Sequence, residues 1–253
     1  VRAALTHYAL NGQRHATVLL DGVDSDAQGA FADGDRVYVA GVDRTEAQVA
    51  MAARVDFSDP GTPEAVWAVP IVGTRASAVV LDSGMLVVAT GRFDANGLGF
   101  AFLSPSDGSE VATGGVELAA NPSQLYALAT DGGEFFGAGM MYGNGFVSAF
   151  PDLPMLISPV PFIEKDGESD GTDRFQALAV RPDGTLVVGG SVFGTAAQGE
   201  DAWLGVVKPH ESTWNWTVTF DGGSLDDDEL EDVAVDEAGN IIAVGMLGDP
   251  PQP

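Results

Sequence analysis

Cysteine is absent from the 253 residues, which excludes disulfide frameworks, thiolate metal sites and cysteine nucleophiles together. Bases are scarce: 11 Lys and Arg face 37 Asp and Glu, for a formal net charge of −26. Only Lys165 and Lys208 are lysines. Charged residues make up 19% of the chain, below the quarter or so usual in soluble domains. The acidity therefore comes from missing bases more than from abundant carboxylates. A field this negative repels phosphate backbones and excludes nucleic acid as a partner. No apolar run nears the roughly 20 residues of a membrane helix, and no signal-peptide pattern opens the chain. Phosphate-binding Gly fingerprints are missing, and His7, His15 and His210 have no metal-ligand spacing.

What is present is a core-forming hydrophobic share of 45% and a repeat. One unit recurs five times: an apolar strand, a Gly-containing turn, a second apolar strand and a closing glycine. The copies span 28–41, 76–91, 125–139, 175–190 and 231–245. Their closing glycines, Gly41, Gly91, Gly139, Gly190 and Gly245, are spaced 50, 48, 51 and 55 residues apart. Asp33-Gly34, Asp131-Gly132 and Asp183-Gly184 are turn pairs that supply the positive φ of tight hairpins. Ser83-Gly84 and Ala238-Gly239-Asn240 fill the same slot in the other copies. A looser second strand pair lies between the hairpins, as at 99–118 and 202–220. Four short strands in about fifty residues is the period of a propeller blade.

These features predict an all-β, five-bladed propeller with four antiparallel strands per blade, one domain over 1–253. The chain opens on what reads as a second strand pair and stops after a first pair. Eight residues follow Gly245 and 41 lead up to Gly41, so the wrapped interval is 49, within the range of the others. The expectation is a ring closed by pairing residues of about 1–20 with the hairpin of about 231–247, leaving no bare sheet edge. One stretch competes. Thr45-Glu46-Ala47-Gln48 before VAMAARV forms a helical capping box, yet the repeat demands a strand there, and tertiary context overrides propensity.

The fifth unit carries Trp216 to Phe220, Gly222-Gly223-Ser224, Asp226-Asp227, Val233 to Asp236 and Gly239-Asn240. In this order it resembles the bacterial β-propeller repeat family often called SBBP. The fourth unit, with its ALAVRPDG segment (177–184), is similar to related bacterial repeats. The likeness is close over 175–245. It implies a secreted or cell-surface bacterial protein without assigned chemistry, and it brings no catalytic residues. A Met-less start and a blunt end leave room for a longer surface protein around it.

Loops entering each first strand are the candidate functional elements, because in a propeller they gather at one mouth of the channel. Those before the fourth and fifth units hold Asp166, Glu168, Asp170 and Asp173, and Asp226, Asp227 and Asp228. Aspartates alternating with Ser and Gly offer the oxygen ligands that calcium takes, although the spacing is not that of an EF-hand. The competing reading is a solvated acidic face. Tyr142 and Asn144, in a Gly-rich connection, are candidates for exposed ligand contact. Trp67, Trp203, Trp214 and Trp216 lie on outer-strand segments and read as packing between blades.

The resulting expectation is a non-catalytic extracellular binding or scaffolding module. Its ligand is a protein or a glycan, its partners include no nucleic acid, and calcium is a candidate stabiliser. The alternative is a glycoside hydrolase-like propeller whose carboxylates, such as Asp173, Glu231, Asp232 or Asp236, converge in the channel. The inner strands, rich in Ala and Val, argue for an apolar lining instead.

Overall fold

The structure, a computed structural model, describes residues 4–8, 14–19, 25–44, 49–59, 62–91, 97–117, 123–150, 161–166, 171–194, 199–222 and 227–248. Every regular element among them is a strand. The chain divides into two compact units, Val1–Glu117 and Leu118–Pro253.

The first unit opens with a hairpin of β1 (Ala4–Tyr8) and β2 (Arg14–Leu19). Two four-stranded antiparallel meanders follow. One is β3 (Ser25–Asp33), β4 (Arg36–Asp43), β5 (Val49–Asp56) and β6 (Glu64–Pro70). The next is β7 (Arg75–Asp82), β8 (Met85–Gly91), β9 (Gly97–Leu103) and β10 (Glu110–Glu117). Strand β7 packs on β3, β4 and β5, so this inner strand lies against the sheet before it. Tyr38, Ala52, Leu86, Val88 and Leu103 fill that interface, none more than 1% exposed.

The second unit repeats the plan. Its meanders are β11 (Ser123–Thr130), β12 (Phe135–Met141), β13 (Asn144–Phe150) and β14 (Pro161–Lys165), then β15 (Arg174–Val180), β16 (Leu186–Phe193), β17 (Glu200–Val207) and β18 (Trp216–Phe220). A final hairpin pairs β19 (Glu229–Val235) with β20 (Ile241–Met246). Strand β15 packs on β11, β12 and β13, and β19 packs on β15, β16 and β17. Trp203 stacks on Phe175 with ring centres 4.9 Å apart, and Trp214 meets both rings edge-on. Three of the four tryptophans thus pack as the repeat requires, since Trp67 lies against Tyr38; Trp216 is 43% exposed.

The fold is therefore all-β, with four-stranded antiparallel sheets in a β-propeller arrangement. The expected count of five four-stranded blades is corrected: among the described residues four are present, and β1–β2 and β19–β20 each form a two-stranded sheet. The physical reason lies in loop closure. A hairpin closes through its own turn, whereas a shared fifth sheet pairs the two ends of the chain, the contact of greatest sequence separation. On β20, Ile242, Val244 and Met246 alternate along one face and are 56–59% exposed.

The strand over 49–56, where a capping box competes, is β5; Thr45 to Gln48 lie outside the described residues. Burial of Ala50, Ala52, Ala53 and Val55 outweighs the local helical preference.

Every inner strand carries a bulge at the same repeat position. The register steps over one residue there: Gln28, Ser77, Tyr126, Gln176 or Glu231. The bulge explains the closing glycines. Gly190 faces Phe175 just before the bulge, and a Cβ there would overlap the Arg174 carbonyl oxygen; Gly139 stands in the same relation to Gln124. In the second copy this place belongs to Thr90, opposite Ala76, and Gly91 comes one residue later. Measured from 41, 90, 139, 190 and 245, the spacings become 49, 49, 51 and 55 residues.

Candidate functional site

The loops leading into inner strands are fixed by backbone bonds to the preceding blade. The Asp173 N–H donates to the Gly143 carbonyl at 2.7 Å, and the Asp228 N–H to the Glu200 carbonyl at 2.8 Å. Both side chains are 1% exposed. Asp173 Oδ1 accepts the Phe193 N–H at 2.7 Å. Asp228 accepts Gly222 N–H at Oδ2 (2.6 Å) and Gly248 N–H at Oδ1 (2.5 Å). These aspartates replace water for strand ends that burial has stripped of it.

Around Asp228 the second unit gathers acids. Carboxylate oxygens of Asp201, Asp221 and Asp228 lie within 4.8 Å of one another. Asp201 sits on β17, Asp221 follows β18, and Asp228 precedes β19. Three carboxylates at that spacing suit a hard divalent cation on oxygen ligands. Beside them Glu200 is held on both oxygens, by Arg174 Nη2 at 2.7 Å and by the Ser191 hydroxyl at 2.7 Å. Burial pushes the Glu229 carboxyl above the usual glutamate range; Glu231, Glu200 and Asp227 push the same way, while Arg174 opposes them.

Of the sequence-predicted ligands, Asp228 joins the cluster and Asp173 is tied to β16 as described. Asp227 is exposed, and its Oδ1 accepts the Glu200 N–H at 3.3 Å. Asp166 is exposed. Glu168, Asp170 and Asp226 lie outside the described residues. Tyr142 is 48% exposed at the tip of a two-residue hairpin turn, with φ 58° followed by Gly143 at 89°. Both angles are positive, the signature of a type I′ turn. Asn144, half-buried, opens β13 behind it. Among the carboxylates weighed for glycoside chemistry, Glu231 and Asp232 are exposed, and Asp236 accepts both the backbone N–H and the side-chain amide of Asn240 at 2.7 Å. Asp236 closes a hairpin.

Sequence reasoning missed Asp201 because it falls inside an outer strand, where alternation marks a residue as facing in or out but does not say what it meets. It also missed the bulged residues. The available signal was the extra residue within each inner strand, visible only once register is known.

No family model matches the sequence, and no curated protein matches it. Solved structures do. The Pseudomonas aeruginosa periplasmic gluconolactonase PpgL aligns at TM-score 0.60 and 14% identity, covering 95% of this chain and 71% of that one. The C-terminal domain of P. aeruginosa PilY1 aligns at TM-score 0.56 and 12% identity, over 97% and 77%. Kuenenia stuttgartiensis hydrazine synthase aligns at TM-score 0.62 and 13% identity, over 93% and 65%. The shared feature is the fold.

Proposed function

We propose that this chain is a non-catalytic binding propeller acting outside the bacterial cytoplasm, which holds a protein or glycan ligand at the rim of blade lead-in loops and is stabilised there by calcium. The observation that carries the reading is the convergence of Asp201, Asp221 and Asp228 within 4.8 Å. Both oxygens of Asp228 and both of Glu200 accept hydrogen bonds inside the protein. This is the condition of groups that hold a rim in place, and it supports a binding role over proton transfer. A periplasmic protein among the structural neighbours accords with the location.

Calcium-titrated melting tests the metal. A ligand at about a hundred times its Kd adds roughly 2.7 kcal/mol, which for a chain of this size raises the melting midpoint by roughly 5–10 °C. Chelator reverses the gain, and Asp201→Asn or Asp221→Asn abolishes it. An unchanged midpoint under calcium and chelator removes the metal from the account. A protein or glycan captured at the rim dissociates more readily as salt rises, because the acidic field is screened.

A further inference from the structure

In a chain with 11 Lys and Arg, two of the guanidinium groups border one cleft of the first unit. The cleft has a volume of about 270 Å³ and is lined by Asp26, Gln28, Val42, Arg44, Thr74 and Arg75. It lies where β3 begins, β4 ends and β7 begins, on the lead-in side of two adjacent blades. We propose that this cleft binds a small hydroxylated carboxylate, of the size and chemistry of a one-ring sugar acid.

The argument begins with donors. Arg44 Nη2 bonds Asp26 Oδ2 at 2.7 Å, and Arg75 Nη2 bonds the Gln28 side-chain oxygen. A guanidinium carries five N–H donors, so each of these contacts leaves most of a planar fork for a ligand, and the fork matches a carboxylate bidentately. The Arg44–Asp26 pair is 52% and 43% exposed; a pair so solvated contributes little to stability and yields readily to a better partner. Gln28 is the bulged residue of β3, and bulges re-aim side chains where a site needs them.

Charge then selects the ligand. Two guanidiniums against Asp26 leave the lining one positive charge in excess. A carboxylate matches that charge. A phosphate monoester, carrying nearly two negative charges at neutral pH, exceeds it in a molecule whose net charge is already −26. The Asp26 carboxylate, Gln28 amide and Thr74 hydroxyl offer donors and acceptors to ligand hydroxyls, and Val42, 6% exposed, provides an apolar contact. The volume sits just under the roughly 300 Å³ lower end of ordinary ligand pockets, which favours one ring over a polymer.

The test is calorimetric titration of the whole chain with D-galacturonate, D-galactose and inorganic phosphate at one fixed salt concentration. Galactose presents the same ring without the carboxylate. The expected result is saturable one-to-one binding of galacturonate, none of galactose, and weaker binding of phosphate. Arg44→Gln and Arg75→Gln each weaken galacturonate at least tenfold, and Arg75→Lys, which keeps the charge but loses the fork, falls between. Melting curves check that the variants fold. Backbone NMR shifts induced by galacturonate in the unsubstituted chain, confined to residues 26–28, 42–44 and 74–75, give a readout that needs no variant. Absent galacturonate binding, shifts elsewhere, tighter phosphate binding, or affinity retained in both glutamine variants would overturn the proposal. Its failure leaves the calcium cluster untouched, since that lies wholly in the second unit.

Discussion

Gly190 shows how one position records the fold. It pairs with Phe175 beside the bulge of β15, and any Cβ there meets the Arg174 carbonyl. Backbone cannot step aside as a flexible side chain can. Gly190→Ala should therefore cost roughly 1–3 kcal/mol as overpacking, at about 2–4 °C of melting temperature per kcal/mol for a chain this long. Gly184→Ala is the contrast: its Cβ meets nothing within 4 Å, but its φ of 80° charges the substitution for conformation instead. A melting curve for Gly190→Ala that overlays the unsubstituted chain would refute the steric explanation. Glu229 gives a residue-scale pH dependence. Its carboxyl is raised by burial, so the folded chain holds that proton more tightly than the unfolded chain. The stabilising contribution is complete below the unfolded pKa and is lost as pH rises through the folded one. Glu229→Gln should flatten the stability profile across that window and leave the chain at least as stable at neutral pH. A profile of unchanged slope in urea melts across pH 4–7 would contradict the assignment.

Strands and turns were the elements most legible in the sequence. Asp183-Gly184 and Gly239-Asn240 marked hairpins, and the structure adds why the acids matter: Asp183 accepts the Thr185 N–H and hydroxyl, and Asp236 accepts twice from Asn240. Those bonds hold both carboxyls below the ordinary aspartate range, so what they contribute is present at neutral pH and lost as pH falls through the lowered values. Register was less legible. Gly91 looks like a closing glycine beside Gly41 and Gly139, but Thr90 occupies the place, because a glycine in sequence does not say which partner it faces. The calcium candidates were half-legible: Asp228 could be read from its loop, while Asp201 comes from a strand and joins only through pairing. Aromatic packing followed the pattern at Trp203, which is 1% exposed against Phe175 and Trp214. Trp203→Ala should cost roughly 3–5 kcal/mol, visible as a lower urea midpoint. A loss below about 1 kcal/mol would mean the blade interface is not packed as described.

At the scale of the molecule, the question is what covers the outer strands of the second unit. On β18, Trp216, Val218 and Phe220 are 37–43% exposed, and on β20, Ile242, Val244 and Met246 are 56–59% exposed. Exposed apolar rows at a sheet edge are a template for aggregation unless something pairs with them. Each completed blade has four strands, and the hairpin β19–β20 has two. Half the amides of β20 point away from β19, and they report on this directly by hydrogen exchange in the intact chain. As the outer strand of a two-stranded sheet, β20 has those amides exchanging at the rate of an open edge, faster than the amides of β16, which has a partner strand on each side. Exchange as slow as that of β16 would contradict the two-stranded sheet on which this description of the second unit is built.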